Sequence, residues 1–319
     1  MYKKIKNFPV QIFDAINNTK DLSINLDKIN RIIIAGMGGS AQAGLIMKDT
    51  FPHLEIIVER NYFPSAIIDK NTLLIMSSYS GDTEETLSYY KHASALTNNI
   101  FGITSGGKLL KQLKHDNHDY HIMPEGFPPR SILGYTLTVL IKLLEEDGLV
   151  ELINIDLLQE YSDNFSKEDS EAYVLAKKIH STFPVIVSEE DLFSIGYRLK
   201  CQFNENGKML SYNVALPDMN HNEIVGWESK LIDKNLFSLI WIDITWPANI
   251  KRMDVTSKLL KDKILYNHHI KIPTDLKSDI SGLFYLINYI DWLSYWCGHF
   301  NEVDITAIKS VDMLKKELA

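Results

Sequence analysis

Arg31-Ile32-Ile33-Ile34-Ala35-Gly36-Met37-Gly38-Gly39-Ser40-Ala41 is the stretch on which the fold turns. After Arg31 its three isoleucines are β-branched and apolar, and Ala35 continues the run without alternation, the pattern of a strand buried on both faces. A glycine-rich turn follows, and then a helix-like run, Ala41 to Thr50. Outward from this stretch the pattern recurs. Leu54 to Val58, Thr72 to Met76, Ile100 to Thr104 and Tyr120 to Met123 read as strands, with Thr83 to Ala95 and Gly107 to His115 as helices between them. Parallel neighbours need a crossover, so this alternation predicts a doubly wound, mainly parallel α/β sheet flanked by helices.

A long amphipathic helix is expected over 130–146, followed by a polar stretch, 147–171, with further helix-like pieces. That stretch is the natural boundary between a first domain, 1–150, and a second, 151–319. The second half repeats the theme. Pro184 to Ser188, Ser211 to Ala215, Leu236 to Ile242 and Lys263 to Ile272 read as strands, and Leu192 to Phe203 as a helix. Gly282 to Trp296 reads as a buried aromatic helix, and Thr306 to Leu318 as a terminal one with Ile308, Val311, Leu314 and Leu318 on one face.

Composition narrows the function classes. The chain has 319 residues, 45% hydrophobic and 23% charged, as in an ordinary globular protein. No window approaches the ~18 apolar residues of a membrane span. The basic stretch 1–7 runs into an amphipathic segment containing Asp14, not the continuous apolar core of a secretory signal, so a cytoplasmic location is expected. Two distant cysteines, Cys201 and Cys297, argue against a disulfide framework or a structural zinc site. A net charge of −8 argues against a general nucleic-acid partner. A small anion remains open, since backbone N–H groups bind phosphate whatever the global charge.

Two loops suit such an anion. In Gly36-Met37-Gly38-Gly39-Ser40, between strand and helix, glycines let the backbone approach a ligand, the helix end offers unpaired N–H groups, and Ser40 is expected at the N-cap. The turn lacks the third glycine of a dinucleotide fingerprint and the Gly-Lys-Ser/Thr of a P-loop. In Ser78-Tyr79-Ser80-Gly81-Asp82-Thr83-Glu84-Glu85-Thr86, the hydroxyls of Ser78, Ser80 and Thr83 can converge on one anion. The bland alternative, a capping box at Thr83, leaves Ser78, Ser80 and Gly81 unexplained. The carboxyl ends of parallel strands are where an open α/β sheet binds its ligand.

These motifs resemble the sugar-isomerase (SIS) domain, and more closely the bifunctional phosphoglucose/phosphomannose isomerase family, single chains with two SIS domains of flavodoxin-like architecture. The resemblance extends through Pro128-Pro129-Arg130, Asn204-Glu205-Asn206-Gly207-Lys208 and Asn220-His221-Asn222-Glu223 to the terminal helix. It implies an aldose–ketose isomerase that interconverts glucose 6-phosphate, and mannose 6-phosphate too, with fructose 6-phosphate through an enediolate. Gly38, Gly39, Ser40, Ser78, Ser80 and Thr83 would hold the phosphate, with no metal or other cofactor. The chain departs from the family at Ala41-Gln42-Ala43, at Gly207 where Ala is common and at Ile305 where Pro is common, differences that bear on fine substrate preference.

The chemistry needs a base for the C1/C2 proton, a cation for the oxyanion and an acid/base to open the ring. Glu205, between two asparagines near a helix end, can be held and partly desolvated as a base; a solvated Glu205 paired with Lys208 is the alternative. His221, in a polar loop flanked by amides, can exchange protons near neutrality, whereas His268 and His269 read as ordinary surface residues on a strand edge. Arg130, at a helix N-terminus where cations are disfavoured, invites a ligand, or else a salt bridge to Glu125. The resemblance makes Glu205 the base, His221 the ring opener reaching in from the neighbouring subunit of a homodimer, and Arg130 the enediolate's cation. It makes Lys315 the substrate-contacting lysine of the final helix, with Lys309 or Lys316 as alternatives and Thr306 nearby. Two rivals remain: a sugar-phosphate sensor without turnover, which would usually carry a helix-turn-helix segment not read here, and an isomerase for another phosphosugar.

Overall fold

The computed structural model describes residues 1–19, 22, 24–144, 148–277 and 280–318. Its contacts divide the chain into two units, residues 7–156 and residues 1–6 with 157–319. Residues 1–6 go with the second unit because Ile5 is buried there. The Ile5 carbonyl accepts Asn288 Nδ2 at 3.2 Å, and Tyr2 packs edge-on against Trp292 at 5.0 Å.

The unit 7–156 holds five strands, β1 (Arg31–Gly36), β2 (Ile56–Glu59), β3 (Thr72–Ser77), β4 (Ile100–Thr104) and β5 (Asp119–Ile122). All pair in parallel in the order β2-β1-β3-β4-β5, with Gly36 beside Ser77 at the end of the β1–β3 ladder. The unalternated apolar runs of β1, β3 and β4 are buried along nearly their whole length. On one face Ile33, Leu74 and Met76 pack with Tyr89, Ala93, Leu109 and Leu113 from helices Glu84–Ala93 and Gly107–His115. On the other, Gly44 brings helix Gly38–Thr50 so close to Ile34 that a Cβ there would lie 3.0 Å from its Cγ2. Each such buried isoleucine contributes about 1.5–3 kcal/mol. The expected helix 130–146 is split into a 3₁₀ turn, Pro129–Ser131, and a helix, Leu133–Leu144; residues 145 and 146 lie outside the described residues.

The second unit carries β6 (Phe183–Glu189), β7 (Tyr212–Leu216), β8 (Phe237–Ile242) and β9 (Tyr266–Ile270), all parallel in the order β7-β6-β8-β9. Both sheets are thus doubly wound, as expected. Helix Ser281–Phe300 is buried over almost its entire length, with Trp292 and Trp296 donating to Ser162 Oγ and to the Phe165 carbonyl. Helix Pro247–Leu259 has no counterpart in the sequence reading. Of its residues only Thr256 is fully buried, so it shows no apolar stripe. Strand β9 is shorter than expected. The terminal helix starts at Lys309, not Thr306, because the Asp304 carboxylate takes the N–H groups of Thr306 and Ala307 at 2.9 and 3.1 Å into a turn of its own. Among the described residues no helix is long and apolar enough to cross a membrane.

Candidate active site

Loops leave the carboxyl ends of β1, β3 and β4, and each opens a helix. They meet backbone to backbone. A Cβ on Gly36 would lie 2.5 Å from the Ser77 carbonyl oxygen, and one on Gly81 (φ +70°) would overlap the Gly106 carbonyl. Only glycine permits either approach. The strand order reverses between β1 and β3, and the crevice at such a point is where open α/β sheets take their ligands.

Side chains then lace these loops together. Met37, not Ser40, caps helix Gly38–Thr50, and without a side-chain bond. Ser40 lies in the first turn, where its hydroxyl accepts the Tyr79 N–H at 3.2 Å and ties the first loop to the second. Thr83 is the N-cap of helix Glu84–Ala93, yet its side chain makes no capping bond; its Oγ1 accepts from Ser78 Oγ at 2.9 Å. Buried Ser78 Oγ also accepts the Gly81 N–H, and Ser80 Oγ that of Asp82, each at 3.2 Å. The capping-box alternative therefore fails. Two helix N-termini with unpaired first-turn N–H groups, together with hydroxyls directed at the loops, suit a phosphate dianion.

Arg130 is buried on the 3₁₀ turn that follows β5. The Pro129 carbonyl oxygen and Arg130 N would lie 2.7 and 3.3 Å from a Cβ on Gly39, so the arginine's backbone abuts the first loop. The Ser131 carbonyl accepts Gln11 Nε2 at 2.8 Å and fixes the turn. Within this unit the structure brings Arg130 and the hydroxyl cradle together.

In the second unit, helix Phe193–Gln202 runs into a π turn, Phe203–Gly207, that carries Glu205. The turn is anchored from beneath. Asn206, fully buried, donates to Ser294 Oγ at 2.9 Å, and the Gly207 carbonyl accepts Asn301 Nδ2 at 2.9 Å. A Cβ on Gly298 would overlap the Asn206 carbonyl. Below lies a buried fork: Arg198 Nε and Nη2 reach the two Asp291 oxygens at 3.0 and 2.6 Å, and Gln202 Nε2 joins at 2.7 Å. Half-buried Glu205 lines a pocket of about 510 Å³ together with Asn204, Lys208, Asp304, Ala307 and Lys309. The Lys208 ammonium donates to the Glu205 backbone carbonyl and, at 2.7 Å, to the Ala307 carbonyl.

His221 is exposed in the loop after β7 and, among the described residues, is not one of those lining the Glu205 pocket. Lys315 is exposed on helix Lys309–Leu318, and so is Lys316; Lys309 is the lysine of that helix at the pocket. Thr306 is exposed beside it. His269 is not an ordinary surface residue. Its Nε2 accepts the Ile244 N–H at 3.0 Å, and burial, with Lys271, His268 and Lys277 nearby, pushes its pKa down to about 4.

Some residues escaped sequence reasoning. Ser105-Gly106-Gly107 is a third hydroxyl-and-glycine loop between strand and helix, and that signal is visible in the chain. Tyr79, whose hydroxyl donates to the Pro124 carbonyl and accepts the Phe127 N–H, both at 2.9 Å, left no pattern to read; burial pushes its phenol up. In the second sheet, Glu189 at the end of β6 sits where the first sheet has its cradle. Its carboxylate accepts Thr245 N at 3.0 Å, Thr245 Oγ1 at 3.1 Å, Trp246 N at 3.2 Å and Asn249 Nδ2 at 2.7 Å, at the start of helix Pro247–Leu259.

Residues 168–318 match the family model of the bacterial phospho-glucose isomerase C-terminal SIS domain. A bifunctional phosphoglucose/phosphomannose isomerase of Caldicellulosiruptor bescii is 33% identical over 337 residues, covering 100% of this chain and 99% of the relative. A D-glucosamine-6-phosphate 4-epimerase of Sulfolobus acidocaldarius is 32% identical over 257 residues, covering 80% of this chain and 79% of the relative. Among solved structures, tagatose-6-phosphate ketose/aldose isomerase from Escherichia coli matches with a TM-score of 0.72 at 15% identity, covering 96% of this chain and 94% of that one. At that identity the likeness establishes the fold alone.

Proposed function

This chain belongs to the bifunctional phosphoglucose/phosphomannose isomerase family, and from that premise we propose that it interconverts glucose 6-phosphate and mannose 6-phosphate with fructose 6-phosphate. The observation that carries the reading is identity running end to end over both chains, 33% across 100% of this one and 99% of the relative.

In this reading Gly38, Gly39, Ser40, Ser78, Ser80 and Thr83 hold the phosphate, which fixes the sugar while its other end reacts. Glu205 takes the proton from C2 of the open-chain aldose and returns it to C1. Arg130 meets the charge that develops on the enediolate oxygens, a term worth most in a dry site. Glucose and mannose 6-phosphates differ only in configuration at C2. They collapse to one enediolate once that proton is gone, so one base serves both if the site accepts both presentations.

His221 opens the ring, and its exposure away from the Glu205 pocket supports its acting in the pocket of a neighbouring subunit within a homodimer. Lys315 positions the sugar from the terminal helix. The enzyme works in the cytoplasm, where phosphorylated sugars are retained by their charge.

The test is fructose 6-phosphate formation from each aldose phosphate separately, with EDTA present and Glu205→Gln as control. Turnover of both, lost in the variant, is the expected result. Saturable binding without turnover would replace the enzyme with a sensor. Epimerisation of glucosamine 6-phosphate at C4, with neither aldose converted, would move the chain to its epimerase relative's chemistry.

A further inference from the structure

We propose that Lys208 is a positioning residue, whose ammonium ties the turn carrying Glu205 to the segment that launches the terminal helix and so sets the width of the pocket between them. The inference rests on the isomerase reading of that pocket and deepens it. Three observations carry it.

The first is the bonding. Lys208 Nζ donates to the Glu205 carbonyl on one side and to the Ala307 carbonyl, at 2.7 Å, on the other. The Glu205 carbonyl belongs to the last turn of a helical run, where carbonyls lack intrahelical partners and cations are favoured.

The second is the backbone. Lys208 sits at φ 53°, ψ 37°, in the left-handed region, which a residue with a Cβ occupies only at a cost. A lysine also gives up much rotamer freedom when fixed. Its backbone N–H closes the turn onto the Phe203 carbonyl, which offsets the backbone cost, and the two bonds of its ammonium offset the other. Strain of this kind persists where surrounding structure demands it and gathers at functional sites.

The third is the receiving end. Asp304 Oδ1 accepts Thr306 N and Ala307 N, so the carbonyl that Lys208 grips projects from a turn that is itself pinned. Those hydrogen bonds, with the attraction of Lys208 and Lys309, hold the Asp304 carboxyl below its usual range. Glu205, Lys208, Asp304 and Ala307 all line the same pocket of about 510 Å³. The tether spans the pocket from one wall to the other. A shift of about 1 Å at a base suffices for a loss of about 10²-fold in rate.

The experiment compares Lys208→Met, which keeps the stem and removes the charge, with Lys208→Arg, which keeps the charge. Isomerase kinetics, competitive inhibition by inorganic phosphate, and amide exchange over residues 303–311 are read together. In Lys208→Met, kcat is expected to fall about 10²-fold while phosphate inhibition stays within about twofold, and Lys208→Arg to recover to within about tenfold of the unaltered chain. Exchange over 303–311 is expected to quicken in the Met variant only. A Met variant whose kcat stays within about twofold overturns the inference and leaves the isomerase reading standing. So does a fall in kcat with unchanged exchange and no recovery in the Arg variant. Absence of turnover in the unaltered chain removes the reading and this inference together, whatever the exchange shows.

Discussion

Ser78 Oγ donates to Thr83 Oγ1 at 2.9 Å across the tip of the second loop, and this bond holds Thr83 away from the helix it begins. Thr83 is therefore held at the loop, where its own O–H can reach a ligand. In Ser78→Ala, Thr83 and the Gly81 N–H lose that support, each bond worth about 0.5–1.5 kcal/mol, so KM for fructose 6-phosphate should rise about 2- to 12-fold. Inorganic phosphate should weaken as an inhibitor in parallel, and the melting temperature should fall by a few degrees as a buried hydroxyl with two internal partners is lost. Steady-state kinetics and a thermal scan check all of these.

Gly81 gives a sharper version of the same test. At φ +70° it pays nothing for the left-handed region, and its Cα faces the Gly106 carbonyl. Gly81→Ala adds roughly 1–2 kcal/mol of backbone strain and an overlap that must push the second and third loops apart. Phosphate inhibition should be lost before the fold is. Circular dichroism with an inhibition assay separates the two.

The strands were legible because a sheet covered on both faces needs uninterrupted apolar residues, and β1, β3 and β4 carry them. The two hydroxyl-rich loops were legible for a related reason: glycines and hydroxyls crowded between a strand and a helix have few structural uses. Helix Pro247–Leu259 was not, since its single fully buried residue leaves no period to detect. Ser40 was misplaced by three residues, because a helix can start on glycines with no side-chain cap. His269 reads as one of two adjacent histidines on an edge strand, and only the fold reveals the Ile244 N–H pointing at its ring.

The Arg198–Asp291 fork supports the Glu205 turn from within the second unit, with both side chains almost wholly buried at 3% and 4% exposure. Removing one partner strands a charge in the interior. Arg198→Met is expected to cost about 3–5 kcal/mol, read as a fall in the urea midpoint. Gln202→Leu, which leaves the ion pair whole, should cost far less.

His269 makes the second unit sensitive to acid. Its folded pKa is about 4, against about 6.5 for an unfolded histidine, so the unfolded chain binds more protons between those values. Stability should be full above about pH 6.5 and fall as pH drops toward 4. Buried Asp243, whose carboxyl is pushed up, acts in the opposite sense at the lower end of that range. His269→Gln keeps an acceptor for the Ile244 N–H and should flatten the decline in urea midpoint between pH 7 and pH 5.

Glu189 decides how many anions one chain can take. Where the first sheet turns a helix N-terminus and hydroxyls toward a crevice, the second meets its own carboxylate, already bound by the Thr245 and Trp246 N–H groups and the Asn249 amide. Duplicated topology has not duplicated occupancy. A phosphate titration followed by calorimetry should therefore saturate at one equivalent per chain, with two parallel sheets and a single customer for them.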